Sequence, residues 1–185
     1  NTATHEDLVD SFRGIGLYNQ RAKATASLAK YLTEVHDGDI PSDLRDLVAV
    51  PGLGAYSARA ILSLGYGLPS AVVDSNVGRV FARVFKQSIG SRPTLKVLQS
   101  CADYLLPSHE HRFFNLGLLD LGSLICRPIG PLCDICPVSG VCDDAFPENP
   151  IASYADAPVA FWLRRERRKC RLSLVRMAQL SGVSK

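Results

Sequence analysis

The chain has 185 residues, 46% of them hydrophobic and 21% charged, which is enough for one ordinary domain or two small lobes sharing a core. That composition excludes a disordered chain, and no apolar run is long enough to span a membrane. Net charge is +3, but residues 161–185 carry +7 and the residues before them −4, so the basic signal lies mainly in the tail RRERRKCR. Within the body, Arg59 to Arg127 is locally +4, a balance that suits phosphate groups and is also found on ordinary solvated surfaces. No signal peptide is visible, so the expected compartment is the cytoplasm, with nucleoid association in a bacterium or archaeon. Met177 is the only methionine, so Asn1 is not expected to be a natural start.

In chain order the sequence reads as helix after helix. Thr4 and Asp7 form a capping-box signal, and Leu8, Val9 and Phe12 follow before Gly14 and Gly16 stop the helix. Arg21 to His36 has Leu28, Leu32 and Val35 on one stripe and ends at Asp37-Gly38. Ser42 is the expected N-cap of a short helix over Asp43 to Ala49. After VPGLG, a helix over Ala55 to Tyr66 carries Ala58, Ile61, Leu62 and Gly65 on one face. Val77, Val80, Phe81, Val84 and Phe85 share another face, and Thr94 to Leu106 and Glu110 to Ile125 continue the pattern. Only the short AVVD before Asp74 has any strand character. The expected fold is therefore all-α, followed by a proline-rich loop studded with cysteines and a basic tail.

VPGLGAYSARA, Val50 to Ala60, is the first stretch with chemical interest. Gly52 and Gly54 permit backbone angles that other residues resist and allow close approach to another surface. Leu53 can tuck back between the flanking helices, leaving the amides of Gly52, Gly54 and Ala55 pointing outward at a helix N-terminus. Such a group of N–H dipoles binds an anion, and a DNA phosphate is the obvious one. A plain corner between two helices would use the same residues.

Asp74 stands where the next helix begins and, taken alone, is an ordinary N-cap. An anion fixed there also has a chemical use. Cleaving a base–sugar bond develops positive charge on deoxyribose, which a carboxylate stabilises while it orients or deprotonates the attacking water.

CRPIGPLCDICPVSGVC places Cys126, Cys133, Cys136 and Cys142 in the spacing C-x6-C-x2-C-x5-C. So many thiols in so short a loop call for a metal. A zinc ribbon usually has two CxxC knuckles, whereas this loop has one. Disulfides do not suit a reducing compartment. A [4Fe–4S] cluster takes four cysteines and tolerates spread spacing. Cys101 falls on a helical stripe as a buried apolar residue, and Cys170 has no assignment.

VPGLGAYSARAILSLGYG followed by VVDSNVGRVFARVF resembles the helix-hairpin-helix DNA glycosylase superfamily of the endonuclease III and adenine glycosylase type, and the resemblance runs from about Thr4 to Cys142. It implies a helical-barrel lobe over 1–73, with the hairpin at 43–66, and a second helical lobe over 74–142. That second lobe would end in an iron–sulfur loop at 126–142, leaving 143–185 as a linker and basic tail. Further helices found upstream in that superfamily, which carry part of the base pocket and the wedge into the duplex, are expected to be missing. The resemblance makes Asp74 catalytic and gives Pro51, Gly52, Leu53, Gly54, Ala55 and Arg127 to DNA phosphate. It also puts a [4Fe–4S] cluster on the four cysteines and makes the partner of a monomer double-stranded DNA with a mismatched or damaged base.

Tyr56 joins Asp74 in the implied catalytic set because lyase-type members carry a Schiff-base lysine at its position. Tyrosine cannot form that adduct, so the expected enzyme is monofunctional and uses water. GIGLYNQRAK and FNLGLLDLGSLIC are more similar to glycosylases that remove thymine or uracil opposite guanine. DSNVGRV and CPVSGVC are equally similar to adenine glycosylases, which act on adenine opposite guanine or 8-oxoguanine. The pyrimidine-mismatch reading is favoured and the adenine reading is its alternative. A non-catalytic DNA-binding iron–sulfur module and a zinc-stabilised helical protein are the readings of other classes.

Overall fold

A computed structural model describes residues 3–145. Cys170, the basic tail and nearly all of the expected linker lie outside these residues. All the regular structure among the described residues is helical. The chain divides into two compact units, one up to Tyr66 and one from Gly67 onward.

The first unit begins with α1 (His5–Phe12), whose capping box is formed as the sequence indicates: the Thr4 hydroxyl accepts from the Asp7 amide and the Asp7 carboxylate accepts from the Thr4 amide. Helix α2 (Tyr18–His36) packs on α1 and starts three residues earlier than its apolar stripe suggests, behind Leu17 in the left-handed region. It ends at Asp37, also left-handed, followed by Gly38. Helix α3 (Leu44–Ala49) is capped by Asp43 and not by Ser42: the Asp43 carboxylate accepts from the Arg45 amide at 2.7 Å. Helix α4 (Ala55–Ala60) widens into a π turn over Ile61–Gly65. Leu47, Ala58 and Leu62 form a small core between α3 and α4, joined by Leu44, Leu53 and Ile61. The Tyr66 hydroxyl donates to the Ile40 carbonyl and ties the end of α4 back to the segment before α3.

In the second unit, helix α5 (Ser75–Val84) turns Val77, Val80, Phe81 and Val84 inward, the i, i+3, i+4, i+7 pattern read from the sequence. Phe85 breaks the helix before the short α6 (Lys86–Ile89), a break the periodicity conceals. Helix α7 (Leu95–Leu105), capped by Thr94, contributes Cys101, Ala102 and Leu105 to the same core. Helix α8 (His111–Asp120) adds Phe114 and Leu118 and widens into a π turn over Leu121–Ile125. Two short 3-10 turns, Cys133–Ile135 and Ser139–Val141, shape the cysteine loop, and Val138 and Val141 plug it into the core. Truncating a side chain as buried as Phe81 to alanine would cost about 3–5 kcal/mol.

Ahead of α5, Ser70 to Val73 run buried without regular structure, so the AVVD stretch is extended in character but pairs with no strand among the described residues. Its polar backbone is satisfied by amide side chains. Asn115, 1% exposed on α8, accepts from the Val72 amide at 3.1 Å and donates to the Ser70 carbonyl at 2.8 Å. Gln99 on α7 donates to the Ala71 carbonyl at 3.1 Å.

Candidate active site

Residues 50–56 close the hairpin of the first unit. Gly52 has φ +84°, where an L side chain is strained, which explains glycine at that position. Leu53 folds back onto the small hairpin core, as its place between two glycines suggests. Gly54 caps α4 with no side-chain acceptor, and the first intrahelical bond is the Ala58 amide to the Gly54 carbonyl at 3.0 Å. The amides of Ala55, Tyr56 and Ser57 therefore lack an intrahelical acceptor. A Cβ built on Gly52 or Gly54 meets nothing within 4 Å, so the space over the turn is open. Pro51 and Ala55 are exposed, and Tyr56 is 45% exposed on the first turn of α4. The turn thus offers backbone donors at the positive end of a helix to an approaching anion.

Asp74 opens α5 in the second unit. One carboxylate oxygen accepts from the Val77 amide at 2.7 Å and the other from the Asn76 amide group at 3.0 Å. The residue is half-buried, with both carboxylate oxygens held. The anchoring extends inward. The Asn76 side-chain oxygen accepts from Arg79 at 2.9 Å, and Arg79 donates to the carbonyls of Gly122 at 2.6 Å and Cys126 at 2.8 Å. Gly122 makes this approach possible, because a Cβ there would lie 2.7 Å from the Asn76 Cβ and 2.9 Å from its backbone. Asn76, Arg79, Gly122 and Asn115 escape a reading of the sequence. Their only sequence signal is a polar or glycine residue interrupting an apolar helical stripe.

All four cysteines line one cavity of about 110 Å³, which Arg83 also borders. Among the described residues no three His, Cys, Asp or Glu side chains converge on a single ion position. A tetrahedral zinc site needs its sulfurs about 2.3 Å from one point. An iron–sulfur cube takes one thiolate per iron, so its ligands stand apart around a larger group. The all-sulfur donor set and the shared cavity are compatible with that cluster, and a four-cysteine set can also hold zinc. Burial pushes the Cys142 thiol up to about 11 and raises Cys136 too, with the neighbouring cysteines adding to both. Left to themselves these two thiols stay protonated at neutral pH, and a metal has to displace the protons. Arg83 donates to the Cys126 sulfur at 3.3 Å and to the carbonyls of Arg127 and Pro128 at 2.8 and 3.1 Å, holding the start of the loop on α5. Arg127 is exposed, and its guanidinium donates to the Gly130 carbonyl at 2.9 Å within the loop. Cys101 is fully buried in the core, as its stripe position indicates.

The hairpin residues Pro51 to Tyr56 thus belong to the first unit. Asp74 belongs to the second, linked through Asn76 and Arg79 to the backbone of Cys126. Helical structure throughout the described residues, with this hairpin, a capping aspartate later in the sequence and a four-cysteine loop, matches the helix-hairpin-helix DNA glycosylase fold, and the chain belongs to that superfamily. It is 35% identical over 140 residues to a thymine/uracil-DNA glycosylase of Methanothermobacter thermautotrophicus, covering 74% of this chain and 62% of the relative. It is 32% identical over 137 residues to an adenine DNA glycosylase of Buchnera aphidicola, covering 74% of this chain and 39% of that relative. A solved thermostable thymine-DNA glycosylase superposes with a TM-score of 0.72 at 33% identity, over 77% of this chain and 66% of the other. The chain spans less than two thirds of the length of each of these two relatives, 39% of the adenine glycosylase and 62% of the thymine/uracil glycosylase. No protein-family model matches it. No helix among the described residues is long and apolar enough to cross a membrane.

Proposed function

We propose that the protein is a monofunctional base-excision DNA glycosylase, acting as a monomer on a mispaired base in duplex DNA, with thymine or uracil opposite guanine as the favoured target. The observation that carries this reading is the held, half-buried carboxylate of Asp74, fixed by a backbone amide and by Asn76. In the reaction the target base leaves the stack. As the bond from the sugar C1′ to the base nitrogen stretches, the electron pair leaves with the base and positive charge grows on the sugar. Asp74 stabilises that charge and orients water, which adds to C1′ and gives up a proton while the departing base takes one up, leaving an abasic site and a free neutral base. Tyr56 stands where a Schiff-base amine would be needed for strand cleavage, and its phenol cannot serve. The exposed amides after Gly52 and the Arg127 guanidinium hold phosphates and position the duplex without reading its sequence.

Cys126, Cys133, Cys136 and Cys142 would hold a [4Fe–4S] cluster, whose contribution is to cross-link the loop that carries Arg127. Adenine opposite guanine or 8-oxoguanine is the second reading, favoured by DSNVGRV, by CPVSGVC and by the likeness to an adenine glycosylase.

The test is incubation of the chain with G·T, G·U and A·8-oxoguanine duplexes, followed by alkaline cleavage at abasic sites. Strand breaks only after alkali, greatest for G·T or G·U, are expected. Breaks confined to the adenine duplex would transfer the assignment, and binding without any breaks would leave a DNA-binding module. Iron and acid-labile sulfide in equal stoichiometry are expected in the purified protein, and stoichiometric zinc in their place would overturn the cluster.

A further inference from the structure

We infer that Asn115, seconded by Gln99, is a positioning residue for Asp74: the two side-chain amides replace the missing strand partners of Ser70–Val73 and so aim the carboxylate at the end of that segment. This inference rests on the proposed glycosylase reading.

The problem is one of backbone chemistry. Ser70, Ala71, Val72 and Val73 are each 6% exposed or less, so their N–H and C=O groups are cut off from water. Unpaired, each would carry the full penalty of a desolvated polar group. No β-strand accompanies them among the described residues. Asn115 meets the need because it is one of the few side chains that both donates and accepts in a single plane. It takes the Val72 amide on its oxygen and gives its nitrogen to the Ser70 carbonyl. Those two groups, from residues i and i+2, are the pair an adjacent strand would engage. Gln99 reaches the carbonyl that lies between them, that of Ala71, from a different helix.

The segment is thus clamped from α7 and α8 within four residues of Asp74. Asp74 itself is extended, with φ −98° and ψ −173°, so the path of residues 70–73 fixes where its Cα stands when its carboxylate reaches the Val77 amide. The clamp and the Asn76–Arg79 chain approach the aspartate from opposite directions along the sequence. Asn76 holds the carboxylate, whereas Asn115 holds the backbone that delivers it. The role inferred for Asn115 is exerted through the backbone of residues 70–72.

The experiment compares the parent chain with Asn115→Asp and Gln99→Leu. Aspartate retains the acceptor for Val72 and puts an oxygen in place of the donor to Ser70. Gln99 is only half-buried, so its variant keeps the core intact if the first one folds poorly. Three quantities are read: single-turnover base release at saturating duplex, duplex affinity, and hydrogen exchange at individual amides. We expect Asn115→Asp to slow release about tenfold or more while affinity stays within about twofold. We expect exchange at the Val72 and Val77 amides to speed up about tenfold while that of Leu105 in α7 is unchanged, with Gln99→Leu moving the same amides less. A general packing role would instead move Leu105 along with Val77 and would lower affinity and rate together. Either that pattern, or parent-like exchange at Val77 in both variants, overturns the inference. Absence of base release from the parent would count against the glycosylase reading alone, because the exchange signature tests the clamp without any turnover.

Discussion

Two helix N-termini, those of α4 and α5, hold the residues to which the proposed chemistry is assigned, and they solve the same electrostatic problem in opposite ways. Each exposes backbone amides at the positive end of a helix. At α4 the cap is Gly54, which supplies no acceptor, and the space over the turn is empty. At α5 the cap is Asp74, which fills the site with its own anion. The surroundings differ to match. The α4 hairpin rests on a core of Leu47, Ala58 and Leu62 and stays largely exposed. The α5 terminus is embedded among Asn76, Arg79 and Gly122 on one side and a clamped extended segment on the other. An open terminus can receive an anion from outside, such as a phosphate. A filled one presents a fixed negative charge to whatever approaches, which suits a developing cation.

The largest effect should come from emptying the filled terminus of charge while keeping its shape. Asp74→Asn retains an N-cap acceptor for the Val77 amide, so fold and duplex affinity should survive. Base release should fall by about a hundredfold or more, the usual loss when a positioned charge is removed from a developing transition state. Single-turnover kinetics on the preferred duplex measure this, and release at the parental rate would sink the assignment of Asp74.

Next is the packing that embeds the filled terminus. Gly122→Ala places a methyl 2.7 Å from the Asn76 Cβ and 2.9 Å from its backbone, which cannot move without moving α5. A loss of about 2 kcal/mol in unfolding free energy is expected, within the ordinary range for overpacking. Denaturant titration measures it. The same substitution at Gly54, where nothing lies within 4 Å, should change stability far less. Equal costs at the two glycines would erase the contrast between the termini.

The two termini also differed in how well the sequence revealed them. The helices were legible because Val77, Val80, Phe81 and Val84 repeat at helical spacing, and the hairpin because Pro-Gly-x-Gly has few uses besides a tight turn. Asp74 as a cap was legible from its place before an amphipathic run. What holds Asp74 was not. Asn115 looks like a stray polar residue between Phe114 and Leu116, and Gly122 like a weak point in a helix. Their meaning depends on which element packs against them, a pairing set by tertiary contacts that local periodicity does not encode. The Asp43 cap illustrates the same limit on a small scale: Ser42 and Asp43 are both good caps, and local sequence does not say which of them the helix uses.

The open terminus gives the subtler prediction, because it can be converted into the other kind. Gly54 has φ −81° and ψ 170°, a conformation any residue adopts, and a side chain there meets no neighbour. Gly54→Asp should therefore fold normally and gain a few tenths of a kcal/mol, since its carboxylate can accept from the Tyr56 or Ser57 amide as Asp74 does from Val77. The same bond removes donors from an incoming phosphate and sets a like charge beside it. Duplex affinity at fixed salt should fall about tenfold, with the rate of release from bound duplex nearly unchanged. Gly54→Ser separates the two causes, because its hydroxyl occupies an amide without adding charge, and its loss should fall between the parent and the aspartate variant. If Gly54→Asp binds duplex as tightly as the parent, the hairpin amides are not where the phosphate sits.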